Sequence, residues 1–454
     1  MSEPWRLSLS DGLRKIEEGG LSATEWTRSL LERIDALEEK ILAWAHVDGE
    51  GALAEAGAID ERLSAGEESG SLAGGAVGYK DIVDVVGLPR EANSPLLKGE
   101  IADEDATVTT RLKDAGAICL GKTVTTQFAT SDPSQTRNPW NLKRSPGGSS
   151  SGSAAAVAAG MVPAALGSQT GGSTLRPAAF CGVVGLKPTY GRIPRSGLIS
   201  VSWNLDHVGV ITRNTEDAAR VLTAVSGADG IDAQAPDVSV PDYAEASAPL
   251  RPRRACFWKE DLLPHASEEV AGRIEECVAE LKAKGVAVEE ARLPVDVEEM
   301  HAAHRIIMRV EAAAYHDKMF LENQDAYAPH IRKNISTGLM TPAVHYVNAL
   351  RFRARFIQRM ADFFQGFDLV ILPSHVERPP IAEESTGNAL FNEPFTQIGF
   401  PAISLPVGRG DENLPIGIQL SGRRFGEAAL LSAARWCEAE LGWVAEFPDV
   451  ETVG

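Results

Sequence analysis

Two glycines followed by a serine, Gly171-Gly172-Ser173, form the first arrangement in this chain that could do chemistry. Glycine reaches backbone conformations closed to other residues and lets a ligand approach the main chain. Amide N–H groups at such a turn can converge on one spot and stabilise a developing oxyanion. The serine could be a nucleophile if a base activates it. Taken alone, the triplet reads more readily as a tight turn. A phosphate-binding loop is the rival reading of a glycine-rich stretch. However, no G-x-x-x-x-G-K-[ST] occurs, and no lysine lies between Lys143 and Lys187. Nor does the stretch 147–152 have the G-x-G-x-x-G spacing of a dinucleotide fold.

Histidine is the usual partner of a nucleophilic serine. None of the nine histidines sits in a G-x-S-x-G or other triad context. His301 and His304 (HAAH) share one helical face, but no acidic or cysteine partner stands at a metal-ligand spacing, so a core-edge or solvated role is expected. Lysine is the alternative base when burial depresses its pKa. Lys80 lies in the apolar, strand-like run VGYKDIV, where an outward-facing lysine beside Asp81 is the competing reading.

The elements that would position these residues follow from periodicity. Residues 22–46 carry Trp26, Leu30, Ile34, Leu37 and Ile41 at helical spacing, with Ser22 or Thr24 as cap and Glu25 in the first turn. Val77–Val86 reads as a strand with its exit, 107–115 as a helix and 117–120 as a buried strand, a rhythm that implies a layered α/β sheet. The run 146–174 passes from a Gly/Ser loop through an alanine-rich block to a second Gly/Ser loop. A block that is small and apolar on every side fits a tightly packed central helix. The two loops, at either end of an out-and-back segment, can then lie side by side. A second β-α-β rhythm spans 255–293. Residues 300–365 read as helical, 369–372, 403–407 and 416–420 as strands, and 426–441 as a closing helix.

With 44% hydrophobic and 24% charged residues, the chain has the make-up of a large packed core. A formal net charge of −19 opposes binding to nucleic acid or anionic membranes. The opening MSEPWRLSLSDG has no basic stretch followed by an apolar run, so no signal peptide is expected, and no run is long enough to span a membrane. Five scattered cysteines without a CxxC spacing read as reduced, buried thiols, and a cytoplasmic location is expected.

The run from Gly147 to Pro194, GGSSSGSAAAVAAGMVPAALGSQTGGSTLRPAAFCGVVGLKPTYGRIP, resembles the signature segment of the amidase signature family. GYKDIVDVVGLP (78–89), RNPWNLKRSPGG (137–148), FTQIGFPAISLPVG (395–408) and LPIGIQLSGRRFGEAALL (414–431) agree with it. The resemblance thus covers nearly the whole chain. It implies a Ser–cis-Ser–Lys triad: Lys80 as base, Ser149 as relay after a cis Gly148–Ser149 peptide bond, and Ser173 as nucleophile. It further implies an oxyanion hole from the backbone N–H groups of Thr170, Gly171, Gly172 and Ser173, with Gly148, Ser150 and Gln169 as support and no metal or cofactor. The usual pattern is D-x-G-G-S-x-R-x-P. Here Gln169 and Leu175 replace its charged pair and Arg176 stands one residue late. Losing both members of a buried pair can be near neutral in stability, so a variation within the family is expected.

The implied fold is one large α/β/α domain, 1–454, around a mixed, twisted central sheet. It comprises an N-terminal helical region (1–65), a catalytic core (66–227), a surface connection (228–252) and a second half (253–454) that roofs the substrate pocket. Met308, Phe391, Phe395 and Gln397 are candidate pocket residues, and Tyr315, Met319 and Phe320 would add to an apolar acyl or aryl site. The expected activity is hydrolysis of an amide or carbamate, with aryl amides, anilides and urethanes among the candidates. The alternatives are the glutamine-hydrolysing component of a tRNA amidotransferase, or an inactive binding protein on the same fold. The partner expected is a small amide or carbamate, with no nucleic acid and no membrane. A homodimer would also suit the resemblance.

Overall fold

A computed structural model describes residues 3–67, 69–443 and 446–450. Its centre is one mixed sheet of eleven strands. In chain order these are β1 (Trp44–Val47), β2 (Ala76–Lys80), β3 (Ile118–Thr123), β4 (Ala164–Gln169), β5 (Val184–Lys187), β6 (His207–Thr212), β7 (Arg254–Phe257), β8 (Ala287–Glu290), β9 (Leu369–Pro373), β10 (Ala402–Arg409) and β11 (Pro415–Ser421). Across the sheet they run β1-β3-β2-β4-β6-β5-β10-β11-β9-β7-β8. β2 lies parallel to both β3 and β4, and β7 is parallel to β8 and β9. The remaining pairs, from β4–β6 through β10–β11, are antiparallel. Helices flank the sheet, giving the mixed α/β architecture that the resemblance implied.

Local sequence explains several of these elements. Helix Ala23–Ile41 opens with the expected capping box: the Glu25 N–H donates to Ser22 Oγ and the Ser22 N–H donates to Glu25. The expected helix ends earlier than 46, because Trp44–Val47 leaves as strand β1 to pair with β3. The alanine-rich block is helix Ser151–Ala158, buried along its whole length. The helical stretch 300–365 divides into three, Val297–Glu322, Pro329–Leu339 and Ala343–Phe363. The connection 228–252 carries a short helix, Tyr243–Ala246. Among the described residues, no helix is long and apolar enough to cross a membrane. All five cysteines are buried and unpaired.

Two features of this framework set the site. Parallel pairing of β2 with β4 aligns Tyr79 with Leu166, so β2 ends one residue on, at Lys80, while β4 runs on to Gln169 and carries Ser168 past the end of β2. The loop that follows β4 then starts beside the lysine. The second feature is the close seat of helix Ser151–Ala158. A Cβ at Gly152 would lie 2.1 Å from the Ala43 carbonyl oxygen and 2.4 Å from the Val124 nitrogen. These are backbone atoms and have no rotamer with which to yield. Gly152→Ala should therefore lower stability by about 1–3 kcal/mol, read as a shift in the urea denaturation midpoint. An unchanged midpoint would show that the helix has room to move.

Candidate active site

Lys80 is fully buried at the end of β2. Its Nζ lies 2.7 Å from Ser149 Oγ, 2.8 Å from Ser168 Oγ and 3.1 Å from Ser150 Oγ. Among the described residues, no carboxylate is within hydrogen-bonding reach of it. Burial lowers its pKa well below the ordinary lysine value, while the charge of Asp206 works in the opposite direction. A neutral amine has two N–H donors and one lone pair, so three hydroxyls suit it as well as they suit an ammonium.

The serines come from the two Gly/Ser loops, which do lie side by side: the Ser150 N–H donates to the Ser173 carbonyl at 3.2 Å. The Gly148–Ser149 peptide bond is cis. Ser150 supports the loop, accepting from the Ser168 N–H at 3.2 Å. Ser173 begins the turn into helix Leu175–Cys181, nine-tenths buried at the floor of a cavity of about 440 Å³. Thr170, Gly171 and Gly172 line the same cavity.

Gly171 and Gly172 do not use the backbone freedom the sequence suggested, since neither has φ in the left-handed region. Close packing explains Gly172, where a Cβ would sit 2.3 Å from Asn392 Oδ1. The supports of this turn are neutral. Gln169 Oε1 accepts from the N–H groups of Thr174 and Leu175 at 2.9 and 3.0 Å, capping the helix behind the nucleophile. Its Nε2 donates to Thr396 Oγ1 at 2.9 Å, and Thr396 Oγ1 donates to the Gly171 carbonyl at 2.7 Å. A carboxylate could accept in the first role but could not donate in the second. Leu175 is buried in an apolar cluster, where the usual arginine would have no place.

Thr170 is held from its other side, its Oγ1 donating to Asp206 at 2.6 Å. Asp206 also accepts from Ser200 Oγ and the N–H groups of Val201 and Ser202. Burial raises its pKa against these bonds.

The cavity has two kinds of wall. One is apolar, formed by Met308, Ala312, Ile331 and Val201. The other carries Arg309, Glu377 and Glu393. Arg309 donates to Asn334 at 3.1 Å. Glu393 bonds His301 Nδ1 at 2.5 Å. Burial works against its charge, but His304 and the bonded His301 outweigh it and hold it below the ordinary glutamate range. Among the described residues no group of three or more His, Cys, Asp or Glu could hold a metal.

Of the expected pocket residues, Met308 lines the cavity and three do not. Phe391 and Phe395 are fully buried, Phe395 stacked on Trp258 with centroids 5.5 Å apart. Gln397 is also fully buried, with both amide atoms unpartnered. Tyr315, Met319 and Phe320 lie away from the cavity wall, Phe320 packing on Tyr327. Sequence reading missed Ser168, Asp206, Arg309 and Glu393. Ser168 could have been found, since it lies near the end of a strand, two residues before the signature turn. The other three come from distant segments with no local signal.

Known proteins share this architecture. A family model described as Amidase matches residues 25–431. The chain is 34% identical, over all of both chains, to a component of the Glutamyl-tRNA(Gln) amidotransferase of Roseiflexus castenholzii (strain DSM 13941 / HLO8). Among solved structures it resembles a chain of a vestigial protein complex described as revealing the evolutionary origins of an s-triazine catabolic enzyme. The TM-score is 0.90 at 29% identity, covering 95% of this chain and 98% of that one. 6-Aminohexanoate cyclic dimer hydrolase matches over the whole of both chains with TM-score 0.87 and 27% identity.

One test isolates the neutral cap. Gln169→Leu leaves two buried N–H groups without an acceptor and should lower stability by about 1–3 kcal/mol, measured by urea denaturation. Unchanged stability would show that water or a shifted helix replaces the cap.

Proposed function

This chain belongs to the Amidase family of C–N hydrolases, and from that premise we propose that it cleaves the side-chain amide of glutamine or a like amino-acid amide through Ser173. The observation that carries the catalytic part is the buried Lys80 amine 2.7 Å from Ser149. Lys80 in its neutral form takes the proton of Ser149, which takes that of Ser173. Ser173 Oγ then bonds the amide carbon, and the backbone N–H groups of 170–173 receive the negative oxygen. The proton returns through Ser149 to the nitrogen, the C–N bond breaks, and ammonia departs. Water enters by the same relay, forms the acid and frees Ser173.

Two observations support the glutamine reading. The full-length relative at 34% identity is named as part of a Glutamyl-tRNA(Gln) amidotransferase. The cavity also offers opposite charges, Arg309 for an α-carboxylate and Glu393 or Glu377 for an α-ammonium. On this reading the chain works with partner proteins. The apolar wall favours a second reading, a free-standing hydrolase of small neutral amides or carbamates, in keeping with the named activity of the cyclic dimer hydrolase.

Ammonia or amine release from glutamine, an aryl amide, an anilide and a carbamate separates the two. Arg309→Ala should raise KM for glutamine on the order of tenfold or more, the worth of one charge-assisted hydrogen bond, and leave neutral amides unaffected. Turnover of neutral amides without glutamine turnover would favour the second reading.

The lysine also sets a pH dependence. Its neutral form is the active one, so kcat/KM rises with pH through the Lys80 pKa and then levels. Burial places that rise well below the ordinary lysine value. A profile that falls as pH rises from 6 to about 9, or a rise centred on the ordinary lysine value, would contradict a neutral base.

A further inference from the structure

Arg176 has no place in the steps above, yet it is a buried cation that lines the catalytic cavity. Burial lowers its pKa to about 10, which leaves it charged at neutral pH. Among the described residues, no carboxylate forms an ion pair with it. Its Nη2 donates to the Gly148 carbonyl at 2.6 Å and to Thr386 Oγ1 at 3.3 Å, and its Nη1 donates to the Gly387 carbonyl at 2.9 Å. Burying an unpaired charge is costly, so its three hydrogen bonds must offset that cost.

The partners of the guanidinium are informative. Gly148 supplies the peptide that enters Ser149. Thr386 and Gly387 belong to the loop whose neighbours Ser385, Asn388 and Ala389 form the cavity wall over Ser173. The two segments also touch directly: a Cβ on Gly148 would lie 2.7 Å from the Thr386 methyl. Gly387, at φ +86°, presses against Phe180 and the Arg176 side chain. A planar fork with several donors can hold two carbonyls in fixed relation, which a single ammonium cannot.

We propose that Arg176 is a positioning residue that locks the peptide entering Ser149 to the 385–389 wall of the cavity, so that the relay serine and the substrate wall are held as one unit. The proposal rests on the relay role of Ser149. The helix behind the nucleophile thereby fixes both the proton path and the substrate wall.

The test is a cycle of wild type, Arg176→Met, Ser149→Ala and the double variant, with kcat and KM measured on one substrate and folding checked by thermal melting. Arg176→Met should lower kcat roughly tenfold to a hundredfold, the cost of a small misplacement, and raise KM. Arg176→Lys should recover part of kcat. In the Ser149→Ala background, Arg176→Met should lower kcat no further. A further full loss in the double variant, or unchanged kcat in Arg176→Met, would overturn the proposal. Near-normal turnover in Ser149→Ala would instead remove the relay reading on which it rests. Should Arg176→Met not fold, Thr386→Val removes one acceptor while keeping the shape. It should show the same loss in the wild-type background and none in Ser149→Ala, and additive losses would overturn the proposal.

Discussion

The structure depends on a buried lysine amine that no carboxylate among the described residues contacts. In water an ammonium is strongly solvated, and moving it into a protein interior disfavours the charged form. Here the protein offers three serine hydroxyls and keeps Asp206 one step away, on Thr170. That arrangement favours the neutral form of Lys80 and lowers its pKa well below the ordinary lysine value. The parallel pairing of β2 and β4 holds it there, because β4 continues past the end of β2 and brings Ser168, just before the oxyanion turn, within reach of Lys80.

The surroundings of the turn follow the same logic. An acid at position 169 would add a second buried charge near the nucleophile. Glutamine instead caps the helix with its oxygen and grips Thr396 with its nitrogen. Leu175 fills apolar space, and the positive charge moves one residue on, to Arg176, where backbone carbonyls receive it. The charged pair of the usual pattern has thus been replaced by a neutral glutamine cap and, one residue on, by an arginine whose Nη groups donate to backbone carbonyls.

How much of this was legible in the sequence depended on how local the cause was. The capping box at Ser22 and Glu25, the alanine helix and the juxtaposition of the two Gly/Ser loops are short-range patterns, and each is found. Lys80 was ambiguous locally, and only the long resemblance to the amidase signature family singled it out. The substrate wall was the least legible. Phe391, Phe395 and Gln397 sit on or next to a six-residue helix, Glu393–Ile398, and no periodicity says which way so short a helix faces. Its cavity-lining member is Glu393, while its aromatic, Phe395, turns into the core and stacks on Trp258. Asp206 and Arg309 reach the site from segments brought near only by the sheet and the long helix Val297–Glu322.

The most direct test is the rate at which a fluorophosphonate labels the protein, with the modified residue mapped by peptide mass spectrometry. The account predicts a single adduct on Ser173 in the wild type, formed faster as Lys80 loses its proton, and slow labelling without that pH dependence in Lys80→Met. An adduct on another serine, or equal labelling rates in the two proteins, would contradict a lysine-driven Ser173 nucleophile.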